Sequence, residues 1–221
     1  MKIKAIAKLC KDTRQIIIMD DDQGDVQWIS NGVGIYPLWG MPELDPDTVC
    51  IILDIPEEER AKYKITRQGM PKNLCFRDHD DTERLVLNNL LTIGFGGEEL
   101  MPARTSLGLW FYNQSLLRPL SDIKKPVEIY ERETSDGQVY LACKTGVLLQ
   151  SVILPKLPYP EQLLDHLETL ARELRTSITR RNMEDKEKAE GEAAVYYGTL
   201  LPEADQPALP PAADPDTGEV L

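Results

Sequence analysis

Two histidines, three phenylalanines and four cysteines are all that 221 residues contain of those types, and each shortage removes a class of answer. Cys10, Cys50, Cys75 and Cys143 lie far apart with no Cys-x-x-Cys spacing, which argues against a disulfide framework or a zinc ribbon and for reduced, packed thiols. Long hydrophobic runs are missing as well. After Met1-Lys2-Ile3-Lys4 the apolar stretch is broken at Lys8, so neither a signal peptide nor a membrane span is expected, and the reading is a cytoplasmic protein. A basic excess is also lacking: 25 Lys and Arg face 37 Asp and Glu, a net of −12. Nothing resembles the basic footprint that phosphate contacts need, so nucleic acid is not an expected partner, and neither is a membrane. Residues 183–221 hold ten acidic residues against Lys186 and Lys188, a net of −8 that leaves −4 for everything before.

What is present is patterned. Leu163, Leu164, Leu167, Leu170, Ala171, Leu174 and Ile178 recur at one-, three- and four-residue steps, the signature of one long amphipathic helix. It is expected to pack back on a sheet through five or six aliphatic side chains. Pro160 suits its first turn and Glu161 the positive end of its dipole. Upstream, Val127–Glu133 and Gln138–Cys143 flank Thr134-Ser135-Asp136-Gly137, and Asp-Gly is a hairpin cue because a tight turn needs positive φ. Val147–Leu154 is too continuously apolar for a strand with one wet face, so burial on both sides is expected.

The amino-terminal half reads as Lys2–Lys11 in an alternating first strand, Ile16–Met19 as its hairpin partner, then strands at Val26–Ser30 and Val33–Leu38. Asp45 is placed to cap a short helix with Pro46 at its first position and Val49, Ile51, Ile52 and Leu53 along it. Glu57–Tyr63 is a further helical turn. Residues 64–89 carry Gly69, Pro71 and Arg77-Asp78-His79-Asp80-Asp81 and read as a connector. Leu90–Phe95, Glu99–Ala103, Leu107–Tyr112 and Leu116–Leu120 read as an antiparallel meander. The fold class is therefore α+β: hairpins and meanders, a short helix in the first half, one long helix in the second. The expected division is 1–63, connector 64–89, 90–181, and a disordered acidic, proline-rich tail over 182–221.

Each site that could carry chemistry has a simpler use. Asp20-Asp21-Asp22-Gln23-Gly24-Asp25 fails the calcium-loop pattern at its fifth, sixth and twelfth positions and reads as a solvated turn. Gly94-Phe95-Gly96-Gly97 lacks the Lys-Ser/Thr of a phosphate loop and is followed by two glutamates, so it reads as a hairpin turn. Asp78-His79-Asp80-Asp81, with or without His166, is weak as a metal site because successive side chains of an extended segment point in opposite directions. No Gly-x-Ser-x-Gly elbow surrounds Ser106, and Cys10 and Cys143 have apolar neighbours. No catalytic residue, metal ligand or cofactor is assigned. The better candidates are aromatic: Trp110, Phe111 and Tyr112 are consecutive on a strand and cannot all point inward, and Trp39 raises the same question, so these four are the candidate protein-contact residues.

With Met1–Cys10, Trp28–Leu38, Thr105-Ser106-Leu107-Gly108-Leu109 and Tyr130-Glu131-Arg132 in view, residues 1–180 resemble a group of uncharacterised proteins encoded by prophages and other mobile elements of Gram-positive gut bacteria. The resemblance implies a phage or mobile-element setting and no activity. Together these readings favour a non-enzymatic accessory protein that binds another protein. A virion or assembly component that self-associates is the runner-up, followed by an enzyme or nucleotide-type ligand binder with a site between the halves.

Overall fold

Strands far apart in the chain meet in one sheet. The computed structural model describes residues 2–21, 26–86, 91–154 and 161–199, the last segment with side chains through Glu190. The α+β class holds, and the chain divides into two units, Met1–Tyr159 and Pro160–Leu221, each described here by itself. In the first, strands β1 (Gln15–Asp20), β2 (Gln27–Ser30), β3 (Gly34–Pro37), β4 (Lys64–Gly69), β5 (Arg84–Leu85), β9 (Glu128–Glu133), β10 (Val139–Thr145) and β11 (Leu148–Ile153) form an eight-stranded sheet. Its order is β4-β1-β2-β3-β11-β10-β9-β5. Strands β6 (Ile93–Phe95), β7 (Glu98–Thr105) and β8 (Gly108–Asn113) form a separate antiparallel sheet.

This topology corrects the division expected from sequence. Residues 64–89 do not separate two halves: β4 pairs in parallel with β1, and β5 pairs with β9, so the stretch supplies both edges of the large sheet. Its short, charged strands carry little hydrophobic signal because edge strands are half-solvated. At the centre, β3 joins β11 through Val152 opposite Ile35 and Ile153 opposite Gly34. Val152 packs into the cluster on one face and Ile153 into that on the other, so this part of the run is covered on both faces, whereas Val147 and Leu148 at its start are exposed, against the expectation.

Two further expectations fail locally. Residues 2–11 are not a strand but the start of α1 (Ile3–Thr13). Alternation and helical spacing coincide over so short a run, and Ile6 decides between them. A strand would set Ile6 beside Lys4 and Lys8 on the wet face, whereas Ile6, Ala7 and Cys10 are buried on one side of a helix. Leu116–Leu120 lies in a 3-10 helix, Gln114–Leu120, whose entry is fixed by the Asn113 side chain accepting from Ser115 N at 2.9 Å. By contrast α2 (Pro46–Ile52) forms where its cap requires: Asp45 Oδ1 accepts from Thr48 N at 2.7 Å and Thr48 Oγ1 accepts from Asp45 N at 2.8 Å.

One face of the large sheet, with Ile16, Ile18, Ile29, Tyr36, Leu141 and Ile153, packs in one cluster with Ile6, Leu9 and Cys10 of α1, Val49 of α2, and Ala103 and Tyr112 of the small sheet. Tyr36 donates its hydroxyl to Leu116 O at 2.8 Å, which pins the ring. The ring lies back over Gly34: a Cβ there would sit 2.3 Å from Tyr36 Oη and 2.8 Å from Cζ. Gly34→Ala is therefore expected to lose about 1–3 kcal/mol in urea unfolding, because the pinned ring cannot step aside. An unchanged midpoint would show that it can.

The other face carries Met19, Trp28, Ile35, Tyr140, Ala142 and Val152 and is packed by Met70, Leu74 and Phe76. Trp28 and Phe76 meet edge to face at 5.1 Å. The covering segment is held by Arg132, a fully buried side chain on β9. Its Nε and Nη2 donate to Glu83 Oε2 at 3.1 and 2.7 Å, and its remaining N–H groups reach the carbonyls of Cys75, Arg77 and Asp78 at 3.1, 2.8 and 3.2 Å. All five guanidinium donors are thus used. Lys144 Nζ adds a bond to Glu83 Oε1 at 2.7 Å and stands 4.9 Å over the Tyr130 ring.

The second unit is α3 (Glu161–Thr199), a 39-residue helix. The helix runs on past Arg181, where the tail was expected to begin, through Thr199, and residues 200–221 lie outside the described residues. Along the aliphatic stripe Leu163 is buried and Leu167 half-buried, whereas Leu164, Leu170, Leu174 and Ile178 are each about half exposed or more. No described helix is long and apolar enough to cross a membrane.

Candidate functional site

The exposed aromatic surface is smaller than the sequence suggests. Of the four candidate contact residues, Phe111 and Tyr112 are buried and Trp110 is half-buried. Strand β8 alternates, but it lies in the small sheet, where Tyr112 enters the main cluster and Phe111 is covered on the opposite face. A consecutive aromatic triplet thus finds cover on both sides. Trp39 is different. At 59% exposure it is the one Trp, Tyr or Phe side chain among the described residues that is more exposed than half-buried.

Its exposure has a backbone cause. Leu38 is buried and its N–H donates to Gln27 O at 2.8 Å, closing the sheet pattern. The chain then turns, with Met41 N donating to Leu38 O at 3.2 Å and Gly40 at φ +70°. Positive φ at the third position of a four-residue turn is the glycine-requiring arrangement, and it leaves the second residue, Trp39, at the outer corner. The far end of the arch is tied down as well. Gln27 Oε1 accepts from Leu44 N at 2.6 Å, and Gln27 Nε2 donates to Leu44 O at 3.1 Å and to Asp20 Oδ1 at 2.7 Å. Trp39 therefore sits on an arch fixed at both feet.

Beneath the arch is a cleft of about 370 Å³ lined by Asp20, Asp21, Gln27, Met41, Glu43 and Arg67, among others. The sheet builds it: Asp20 ends β1, Gln27 opposes it at the start of β2, and the parallel neighbour β4 brings Arg67 alongside. Arg67 grips Asp20 with two bonds, Nε to Oδ2 at 2.7 Å and Nη2 to Oδ1 at 3.0 Å, and its Nη2 also pairs with Glu43. The Arg67 hydrogen bonds hold the Asp20 carboxyl below the usual carboxylate range; burial opposes this and the Gln27 bond adds to it. With Asp20, Asp21 and Glu43 in the lining against Arg67, acidic side chains are in excess there. Such a surface, an aromatic anchor beside a rim of fixed negative charge, suits a basic or aromatic side chain from another macromolecule.

The remaining sequence candidates are dispersed. His79 is exposed, with Nδ1 3.4 Å from Glu83 Oε1 and Nε2 3.4 Å from Asp81 Oδ1. Asp78 instead accepts from Leu149 N at 2.8 Å and Asp80 from Thr82 N at 2.8 Å. Among the described residues no group of three His, Cys, Asp or Glu side chains is arranged to hold a metal ion. His166 lies exposed on α3. Burial pushes the Cys10 and Cys143 thiols up to about 12, so neither is a thiolate at neutral pH. Ser106 is a turn residue whose N–H donates to Glu131 Oε2 at 2.7 Å. Gly96 and Gly97, at φ +59° and +81°, close a two-residue hairpin between Phe95 and Glu98, as expected. A second groove of about 580 Å³, between α1 and the small sheet, is lined by Lys8, Asp12, Glu98, Glu99 and Arg118.

Sequence reasoning missed Arg67, Asp20 and Glu43 as a unit. Asp20 and Arg67 are 47 positions apart, and no local pattern links them. The class the fold defines is an α+β protein with a mixed eight-stranded sheet. Comparison of the chain with protein-family models, with curated proteins and with solved structures finds no match.

Proposed function

We propose that the chain is a non-enzymatic accessory protein of a phage or mobile element, working in the bacterial cytoplasm by binding another protein through the arch that carries Trp39. The single observation behind this reading is the exposure of Trp39 on a fixed arch above an acidic cleft. Tryptophan is strongly enriched among the residues that dominate binding energy, and an anchor already held in place loses little entropy on contact. The acidic lining favours a partner that presents Lys or Arg there. The phage or mobile-element setting comes from the sequence resemblance of residues 1–180.

Affinity capture from cells tests the proposal. A specific partner is expected with the wild-type chain and with Ile51→Ala, a change at another exposed apolar site, and at least tenfold less of it with Trp39→Ala, a loss of about 1.4 kcal/mol or more. Equal recovery with Trp39→Ala and Ile51→Ala would sink the assignment. The runner-up, an assembly component, draws its support from a different element, the exposed aliphatic face of α3.

A further inference from the structure

Helix α3 carries an apolar seam that is largely exposed among the described residues. Leu164, Leu167, Ala171, Leu174 and Ile178 follow at steps of three, four, three and four, the spacing of paired helices. Leu170 widens the stripe on one side; Leu164, Leu170, Leu174 and Ile178 are exposed by 49–58%, and Leu167 is half-buried. Charge along the same stretch is segregated. Residues 161–170 contain Glu161, Asp165 and Glu168 and no Lys or Arg, whereas residues 171–182 contain Arg172, Arg175, Arg180 and Arg181 against Glu173 alone. The helix dipole accounts for the acidic start but not for the basic half, because α3 runs on for 18 residues beyond Arg181 to Thr199.

We infer that α3 pairs with α3 of a second copy of this chain, antiparallel, about a centre between Ala171 and Leu174. In that register Leu167 meets Ile178 of the other copy, Ala171 meets Leu174, and Glu168 lies beside Arg175, each contact made twice by symmetry. The acidic half of each helix then covers the basic half of the other. A parallel, in-register pair would instead stack Arg181 on Arg181 and Asp185 on Asp185 at seam positions, which opposes it. The apolar and flanking area available from the two stripes is roughly 1,000 Å², the lower bound for a specific interface, so a weak, reversible dimer is expected. The inference does not depend on the Trp39 arch.

Sedimentation velocity on the full-length chain tests it over about 1 to 100 µM, where the mass is expected to rise from monomer toward dimer. Leu174→Glu keeps a good helix former at an exposed position and is expected to weaken the dimer at least tenfold with unchanged helicity. Glu168→Arg and Arg175→Glu are each expected to weaken it severalfold, and the double exchange to restore it, because the pair is intermolecular. Three results overturn the inference: a monomer throughout, which leaves the stripe to another protein; a dimer indifferent to Leu174→Glu; or a double exchange no tighter than its parents.

Discussion

Arg132→Met is expected to lower unfolding stability by about 3–5 kcal/mol, the usual loss when one member of a buried ionic cluster is removed. Methionine keeps the aliphatic volume, so the loss reports the hydrogen bonds. Carbonyls of Arg77 and Asp78 would lose their side-chain donor, that of Cys75 would keep only the Tyr140 hydroxyl at 3.4 Å, and Glu83 would keep only Lys144 as a close cation. Because this cluster fastens the segment that carries Leu74 and Phe76, the emission of Trp28 should shift before the main transition. Urea unfolding followed by circular dichroism and by fluorescence measures both. A change under about 1 kcal/mol would mean that apolar packing alone holds the segment.

The same cluster has a signature in pH. Burial by itself would raise the Glu83 carboxyl, but its bonds to Lys144 and Arg132 outweigh that and hold it below the usual value. A carboxyl depressed in the folded state contributes stability above its unfolded pKa of about 4.3 and loses it as pH falls through the folded value. The stability difference between wild type and Glu83→Gln should therefore be full near neutrality and shrink below about pH 4. A difference that is constant from pH 7 to strongly acid solution would contradict the ionic role.

A larger effect still is expected from dividing the chain. If residues 1–89 and 90–159 were separate units, each would give a dispersed amide spectrum alone. The sheet argues otherwise. Cutting between them removes β11 from β3, β5 from β9, and Leu141, Cys143 and Ile153 from the cluster that contains Ile16, Ile29 and Tyr36. Each fragment would then expose an apolar strand edge and half a core, which leaves too little buried area to offset chain entropy. Collapsed, undispersed spectra are expected from both fragments, and a dispersed spectrum from either would show that the sheet is not one cooperative unit.

How far the sequence carried the fold depends on how local each signal is. The α2 cap, with Asp45, Pro46 and Thr48 in one turn, and the hairpins at Gly96-Gly97 and Gly137 were legible because their causes lie within four residues. Helix α1 was misread because alternation and helical spacing agree over ten residues, and only the burial of Ile6 separates them. Strands β4 and β5 were read as a connector because an edge strand needs no apolar run, and the parallel partner of β4 comes 49 residues earlier in register, Gln15 opposite Lys64. The same distance hid the Arg67 clamp and the Arg132 brace. Of the contact candidates, Trp39 is exposed because of a turn at Gly40 that the sequence reasoning did not use, whereas Phe111 and Tyr112 are buried because both faces of β8 find cover.

The proposed role rests on position 39 being a meeting point with another protein. A photo-reactive amino acid placed there in the full chain, expressed in cells and irradiated, tests this most directly. The account expects one discrete adduct at position 39 and none when the same group replaces Ile51. No adduct at position 39, or the same ladder of adducts at both positions, would contradict it.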